Sequence, residues 1–463
     1  MNLTLPRQSE FLGRFFRITV ANVLSTVIVP VAQLLGVAFL GHLPEIQHLT
    51  GVALAGSLLA CLYEMFLFLR MGVTGLTAMA LGQDDQEAVL LVGLRHGFIA
   101  LVAGVAMVLL QYPLRQLGFA LLSSTPPDIL ASAGAYFDAQ IWGSPAILIN
   151  FVLLGWFSAR EKNRIVVLMS FFGNAANVVL NYLLIIRWGW ESTGAGVSYA
   201  ISQYVTLLTG LFFLFLQIKW QEVRAVANQF WDFSAFKATF VLNINIFVSM
   251  IFILLVMLTF NYESAKMGTI IYAENSLLLQ LLVLNSFIFE GLSMGVETLI
   301  GNFKGKGVKE QLLPLLGLAL GTALLIGLST SGVSVLFPQT IFGLFTNHSE
   351  VTENIDVYAP WLLLVLGFSS VSFVLGGYFL GITKTQILRN SNLIAALFGF
   401  APAALAAFTL HSNHILWLAL SLFHVMRLVV FVVQLPGTFK IDVGDGSSEL
   451  NLSEEDRSLD AAA

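Results

Sequence analysis

The heptapeptide FVLLGWF at residues 151–157 returns as FVLGGYF at residues 373–379, 222 positions later. A second repeat, MGV at residues 71–73 and again at residues 294–296, has an offset of 223 positions. A polar loop follows both copies of the second repeat. Two matches with nearly the same offset indicate that the chain consists of two related halves.

The composition of the 463 residues excludes a soluble chain. Hydrophobic residues make up 57% of the sequence, charged residues only 11%, and the mean hydropathy is +0.84. Globular proteins carry about 25% charged residues, so the polar surface is too small to face water. A single cysteine, Cys61, excludes intrachain disulfides and cysteine-rich metal clusters, and a net charge of −5 with no basic face argues against nucleic acid as a partner.

Apolar stretches long enough to cross a membrane follow one another along the chain. A hydrocarbon core of about 30 Å needs about 20 apolar helical residues. The pattern predicts an all-α membrane protein with twelve transmembrane helices, at residues 16–40, 51–81, 90–112, 132–158, 165–187, 193–217, 239–260, 269–301, 311–335, 355–381, 388–409 and 413–436.

Basic residues indicate the orientation, because Lys and Arg near span ends stay on the cytoplasmic side. With the N-terminus and every second loop placed inside, sixteen basic residues fall inside and three outside, namely Arg115, Arg187 and Lys266. We therefore expect a multi-pass protein of the cell inner (plasma) membrane with both termini cytoplasmic.

Twelve spans in two halves predict six spans per half, and an even number makes the repeat parallel. Rocking of one half against the other around a midplane site would suit such a bundle; a duplication that only stabilises the bundle, or lines a channel, is the alternative. The predicted regions are a cytoplasmic N-terminal segment (1–15), an N lobe (16–218), a cytoplasmic linker (219–238), a C lobe (239–440) and a disordered acidic tail (441–463).

Several motifs resemble the DinF-like branch of the MATE (multidrug and toxic compound extrusion) transporters. They are FLRMGVTGLTAMALG at residues 68–82, WGSPA at 142–146, VLLGWF at 152–157 and RNS at 389–391. The resemblance covers about residues 15 to 435. It implies a V-shaped, twelve-helix exporter that expels small amphipathic, often cationic, organic compounds in exchange for H⁺ or Na⁺ and needs no cofactor; we expect it to act as a monomer.

The sequence departs from the family where relatives commonly carry carboxylates. In this chain the acidic position of the first helix falls on Gly36, that of the fifth helix on Asn181, and that of the tenth on Gly376 or its neighbour. The proton site usually proposed for the N lobe of such relatives therefore lacks its acids here.

Three asparagines share one face of the fifth span. Asn174, Asn177 and Asn181 stand at positions i, i+3 and i+7, and Asn150 in the fourth span could complete a polar pocket. Amides offer donors and acceptors for a ligand or a desolvated cation. The alternative is hydrogen bonding between helices, typically about 0.6 kcal/mol per bond. The resemblance implies an N-lobe site at Asn150, Asn177 and Asn181.

Carboxylates within apolar sequence are the candidates for ion coupling. Glu64 lies in the second span, and Glu274 and Glu290 lie in the eighth; Glu290 aligns with an acidic position of DinF relatives. Because apolar surroundings disfavour an ionised carboxylate, such a group can take up a proton. Glu297 is interpreted as an interfacial residue that touches the lysines after its span.

Arg70 and Pro30 are candidates for a gate or a hinge. Arg70 is placed at the inner end of its span, where it could snorkel or pair with a helix end. Pro30 removes a backbone hydrogen bond and can kink the first helix, although an inert kink is an equal alternative. Asn243 and Asn245 in the seventh span are interpreted as packing residues.

The leading hypothesis is a multidrug efflux transporter that works by H⁺ (or Na⁺) antiport with alternating access. The alternatives are a flippase for lipids or lipid-linked precursors from the same superfamily, and a membrane sensor or scaffold that does not transport. An enzyme is not expected, because no nucleophile elbow, phosphate loop or dinucleotide fingerprint occurs. His411 and His414 lack further ligands, so no metal site is expected.

Overall fold

The computed structural model describes residues 8–120, 125–346 and 349–439. These residues contain twelve helical spans that are long and apolar enough to cross a membrane. We number them α1 (Gln8–Gly41), α2 (Ile46–Gly82), α3 (Gln86–Leu109), α4 (Pro127–Ala159), α5 (Asn163–Arg187), α6 (Glu191–Gln217), α7 (Phe233–Lys266), α8 (Thr269–Gly305), α9 (Leu312–Leu336), α10 (Trp361–Gly381), α11 (Thr385–Leu410) and α12 (Asn413–Gln434).

The predicted all-α membrane fold with twelve spans is confirmed. The tenth span is shorter than predicted, since it begins at Trp361 and not at residue 355. Pro360 precedes it and separates it from the short helix Ile355–Tyr358, because proline has no N–H to donate and disfavours a helical residue before it. Residues 1–7 of the predicted N-terminal segment and the predicted tail at 441–463 lie outside the described residues.

The repeat is visible in the backbone itself. Residues with positive φ recur at equivalent junctions between spans in the two halves, about 220 residues apart. In addition, the fifth span of each half includes a π-helical segment, Tyr182–Arg187 in α5 and Ala395–Phe400 in α11. The three positive-φ pairs are Asp84 and Gly307 (61° and 74°), Glu161 and Thr383 (57° and 60°), and Glu191 and His411 (49° and 48°).

The two halves meet where α2 and α8 end. A Cβ on Gly82 would collide with the carbonyl oxygen of Asn302 and lie 2.9 Å from the Cα of Gly305. A Cβ on Gly305 would collide with the carbonyl oxygen of Met79 and lie 2.9 Å from the Cα of Gly82. Met79 and Asn302 are themselves 223 positions apart. This reciprocal contact places the pseudo-twofold axis of the repeat between the two glycines.

Toward their N-terminal ends, α2 and α8 pack within their own halves, although α1 of the first half continues to pack along α8. The first helix of α2, Ile46–Glu64, packs on α4 of its own half. The corresponding part of α8 packs within the second half, where Asn275 bonds to Ser264 of α7 and to Asn413 of α12, each at 2.7 Å. The bundle therefore has the V shape that the resemblance implied, closed at the ends of α2 and α8.

The segment between the halves is held against the first half. It contains the helix Trp220–Val226 and a 3₁₀ turn at Ala227–Gln229. Arg95 of α3 donates to the carbonyl oxygens of Gln229 at 2.6 Å and Phe230 at 3.2 Å. Two backbone acceptors thus anchor the segment to α3.

We expect Gly82→Ala to destabilise the protein by about 1–3 kcal/mol, the usual cost of overpacking a close contact. Thermal unfolding of the purified protein in detergent measures the effect. Gly305→Ala tests the same contact from the other side and should give a similar loss.

Gly97→Ala in α3 is the matched control, because a Cβ at Gly97 meets no atom within 4 Å. This control should be neutral, or more stable by up to about 1 kcal/mol, since alanine favours helix interiors over glycine. Equal melting temperatures for Gly82→Ala and Gly97→Ala would contradict the backbone contact between the halves.

Candidate functional site

The second span is broken about halfway along its length. Its helices, Ile46–Glu64 and Phe68–Gly82, are separated by a turn at residues 65–67, which is held by i to i−3 hydrogen bonds of 2.9 and 3.1 Å. Such tightened turns interrupt the regular helix and often mark functional sites. The break places Glu64 at the end of one helix and Arg70 in the first turn of the next.

Arg70 joins the two halves through an ion pair. Its Nη1 atom lies 3.0 Å from Oε1 of Glu290 in α8, and its Nη2 atom contacts the sulfur of Met294. Both charged side chains are largely buried, at 11% and 22% exposure. The placement of Arg70 at the inner end of its span was wrong, because twelve residues, about 18 Å of helix, separate it from Gly82.

Two further carboxylates lie near this ion pair, one beside Glu290 and one beside Arg70. Glu64 is exposed, and its charge interacts with that of Glu290. Glu297 is 1% exposed, lies within the electrostatic reach of Arg70, and its Oε1 has no hydrogen-bond partner. Glu297 is therefore buried, and the interfacial position expected for it was wrong. With all groups ionised, this charge cluster of Glu64, Arg70, Glu290 and Glu297 carries an excess of two negative charges.

Close helix packing encloses the side chain of Glu297. A Cβ on Gly75 of α2 would lie 2.5 Å from the carbonyl oxygen of Leu380 in α10 and 3.3 Å from Oε1 of Glu297. Only a glycine lets the backbones of α2 and α10 approach this closely over the carboxylate. The result is a charged group enclosed between α2, α8 and α10, where the two halves touch.

The amides of the first half form two separate pairs. Asn181 donates to Oδ1 of Asn177 at 3.2 Å, and a Cβ on Gly36 of α1 would lie 3.1 Å from Nδ2 of Asn181. Asn150 instead donates to the backbone oxygen of Gln203 in α6 at 2.9 Å. The Oδ1 atoms of Asn150 and Asn181 are buried without partners. Each pair therefore retains a free acceptor.

The remaining predicted site residues lie apart from these pairs. Asn174 donates to the carbonyl oxygen of Ser170 one turn earlier in its own helix, at 2.8 Å. Glu274 is 2% exposed, in the second turn of α8 next to the Asn275 network. Pro30 lies within a continuous α1, four residues beyond Thr26, whose hydroxyl donates to the carbonyl oxygen of Phe287 in α8 at 2.8 Å.

Two polar contacts were not anticipated from the sequence. Asn243 of α7 lies 3.2 Å from Nε2 of His96 in α3, whose Nδ1 faces the carbonyl oxygen of Val92 at 2.9 Å. Asn22 of α1 accepts a hydrogen bond from Ser158 of α4 at 3.1 Å. A lone polar residue in an apolar span signals some contact, but no spacing in the sequence indicates a partner 147 or 136 positions away.

Arg14 closes the end at which α2 and α8 meet. It pairs with Glu161 in the loop between α4 and α5, and its Nη2 donates to Oδ1 of Asn302 in α8 at 3.0 Å. Its guanidinium also lies 5.2 Å from the ring centre of Phe303. One side chain of α1 thus connects a loop of the first half with a helix of the second.

Two six-span halves, a broken helix and a charge cluster between the halves define an integral membrane transporter of the two-lobed class. The MatE family model matches residues 22–183 and 245–405, one segment in each half. The chain belongs to the MATE family.

Individual relatives and structures agree with this assignment. The DNA damage-inducible protein F of Escherichia coli is 30% identical over 88% of each chain. The probable multidrug resistance protein NorM of Thermotoga maritima is 23% identical over 68% of each chain. A MOP superfamily transporter from Pyrococcus furiosus has the same fold, with a TM-score of 0.82 and 17% identity over 90% of this chain and 94% of that one.

The family assignment confirms three further predictions. The chain is a multi-pass membrane protein of the transporter kind and is not an enzyme, because its relatives are transporters. MATE transporters use ion coupling and need no cofactor. Separately from the family assignment, residues 8–120, 125–346 and 349–439 contain no group of three or more His, Cys, Asp and Glu side chains that could hold a metal ion.

Removing one member of the Arg70–Glu290 pair leaves a largely buried charge without its partner. We expect Glu290→Gln to lower the free energy of unfolding by roughly 1–3 kcal/mol, less than a fully buried pair would lose because Glu290 keeps some exposure. The double variant Arg70→Gln/Glu290→Gln should recover most of the loss. Thermal unfolding of the single and double variants measures this coupling, and strictly additive effects would contradict the ion pair.

Proposed function

We propose that this protein exports small amphipathic organic compounds from the cell by cation antiport with alternating access. The observation that carries the proposal is the charge cluster at the junction of the two halves, about 18 Å from their closed end and hence near the bilayer midplane. Its excess of two negative charges can be neutralised by a proton, by Na⁺ or by the cationic group of a substrate. An ion and a cargo could therefore compete for one set of charges.

The ion–substrate exchange would act through the contact between the halves. While Glu290 is ionised, Arg70 holds α2 against α8. Protonation of Glu290, or binding of Na⁺ to it, removes the attraction and frees Arg70 to turn toward Glu297. Glu64, as the exposed member of the cluster, is suited to receive the ion first. H⁺ is the ion that we favour, with Na⁺ as the alternative, and Glu274 is a further candidate within α8.

The cargo would lie beside the amides of the first half. Asn150, Asn177 and Asn181 keep two free buried acceptors, and Asn174 stands on the same face of α5. Gly36 and Asn181 are in contact, so the positions at which relatives commonly carry carboxylates are adjacent but uncharged here. This arrangement favours recognition of the cargo in the N lobe and ion uptake at α2 and α8.

The alternating movement would involve two lobes, residues 16–218 and 239–440, joined by the cytoplasmic linker at 219–238. The closed contact at Gly82 and Gly305 falls on the side that the basic residues predict to be cytoplasmic. The structure would then correspond to the outward-facing state, with both termini inside the cell and the protein in the inner (plasma) membrane as a monomer. Pro30, just beyond the last α1–α8 hydrogen bond at Thr26, is placed to act as the hinge of α1.

The names of relatives support the direction and the cargo. Relatives named as multidrug resistance proteins NorM or MdtK include those of Thermotoga maritima, Aliivibrio fischeri and Pectobacterium atrosepticum. A lipid flippase remains the rival transporter, and a sensor without transport remains the rival of another class.

A vesicle assay tests the proposal. Purified protein in liposomes, with an imposed pH or Na⁺ gradient and a fluorescent organic cation, should show gradient-driven uptake. We expect Glu290→Gln to reduce this uptake by about 5- to 150-fold, the range that coupling free energies of 1–3 kcal/mol produce. Glu310→Gln is the matched control, since Glu310 is exposed in the turn at Lys309–Gln311 and its variant should transport normally.

Each alternative gives a different result in this assay. Normal uptake by Glu290→Gln would reject Glu290 as the coupling residue. Movement of a labelled lipid but not of the organic cation would favour the flippase. The absence of any transport under both gradients, in protein that folds normally, would favour the sensor.

A further inference from the structure

A buried arginine, Arg427, and a neighbouring histidine, His424, lie inside the second half without an acidic partner. Arg427 and His424, one turn apart in α12, are only 8% and 5% exposed. The guanidinium of Arg427 is flanked by two rings of its own helix, with ring centres 5.6 Å away at Phe423 and 5.9 Å away at Phe431. Neither residue takes part in the charge cluster at α2 and α8.

The polar atoms of this pair are unsatisfied. Among the described residues, no carboxylate oxygen lies within 4.0 Å of Arg427. Its Nε and both ring nitrogens of His424 are buried with no hydrogen-bond partner. The terminal nitrogens of Arg427 are not among these enclosed atoms, so the charged end of the side chain reaches accessible surface.

Open space borders the pair on α10. Ser372 bonds to the carbonyl oxygen of His424 at 3.4 Å, and the rings of Phe379 and Phe431 stack with centres 5.3 Å apart. These two contacts set α10 and α12 in a common register, which brings Gly376 to the level of Arg427. Gly376 is buried, yet a Cβ placed on it would meet no atom within 4 Å.

The other flank of α12 rests on an irregular helix. Gly399, in the π-helical segment Ala395–Phe400 of α11, lies so close that a Cβ on it would be 2.7 Å from the carbonyl oxygen of Leu422. This tight packing fixes the backbone of α12 immediately before His424. The pair is therefore held in place by its surroundings while its donors lack acceptors.

Ring contacts alone do not account for this arrangement. A guanidinium over an aromatic face is attracted by the ring, but its N–H groups still need acceptors, and a buried cation without a counter-charge is unfavourable. In a chain that crosses the membrane, a charged side chain facing the bundle interior marks a functional site. An anionic group in the adjoining space would satisfy both the charge and the hydrogen bonds.

We propose that Arg427, assisted by His424, forms a subsite for the carboxylate of an amphipathic organic substrate. The guanidinium fork matches a carboxylate with two parallel hydrogen bonds, and the rings of Phe423 and Phe431 offer apolar contact beside it. This inference rests on the proposed transport function, and it specifies organic acids and zwitterions among the expected substrates.

Equilibrium binding tests the subsite separately from transport. The full chain in phosphatidylcholine nanodiscs is titrated with dansylamino-undecanoic acid and with its methyl ester, which has the same shape without the charge. We expect the acid to bind about tenfold more tightly than the ester, because a hydrogen bond to a charged group contributes about this factor in affinity. Arg427→Gln should remove this difference by weakening the acid alone.

Two variants keep the test decisive. Arg427→Lys retains the charge and should recover part of the affinity for the acid, which separates a lost contact from a folding defect. Arg389→Gln removes a guanidinium of the same half that already bonds to Asn245 at 2.8 Å, and it should leave the affinity for the acid unchanged.

Equal affinities of the wild-type protein for acid and ester would overturn the proposal, as would unchanged binding in Arg427→Gln. Weaker acid binding in phosphatidylglycerol nanodiscs for the wild-type protein, but not for Arg427→Gln, would show that an anionic lipid headgroup competes for the site, and it would overturn the assignment to an organic substrate. Charge-dependent binding in a protein that shows no gradient-driven uptake would support the subsite while rejecting the proposed antiport.

Discussion

The contact between the backbones of α2 and α8 is the constraint on which the rest of the structure depends. Gly82 and Gly305 bring the two helices together on the pseudo-twofold axis, and each glycine packs against a carbonyl of the other half. In a bilayer, apolar side chains gain little by leaving lipid for protein, so helices associate by close packing and by hydrogen bonds. Glycines at the crossing allow the close packing, and Arg14 supplies the hydrogen bonds through its contacts with Glu161 and Asn302.

The position of the charge cluster follows from this crossing. Because α2 and α8 touch at one end and separate toward the other, side chains about 18 Å from the contact stand where the gap begins to open. The tightened turn at residues 65–67 lies just before Arg70, which pairs with Glu290 at this point. The ion pair therefore joins α2 to α8 beside the gap, with both side chains largely buried.

The two halves share a backbone plan but differ in chemistry. Both contain the same positive-φ loops and a π-helical segment in the fifth span. Both halves enclose amides and basic side chains, but Arg95 of the first half bonds to two backbone carbonyls, whereas the Nε atom of Arg427 in the second half has no partner. Duplication explains the shared geometry, because the same hydrophobic and glycine positions are needed in each copy. The polar residues are free to diverge, since they contact ligands and the opposite half instead of the shared core.

The amino-acid sequence by itself determined the number of spans, the two halves and the family, because these depend on local apolar length and on motifs that recur at one offset. It also indicated Asn177 and Asn181 as neighbours, since residues four apart share a helix face. Only the tertiary structure decided that Arg70 pairs with Glu290, that Glu297 is buried and that His96 meets Asn243. Arg70 and Glu290 are 220 positions apart, and His96 and Asn243 are 147 positions apart. The burial of Glu297 depends on Gly75, 222 positions earlier, and on α10. Helix crossing, not sequence spacing, brings such residues together.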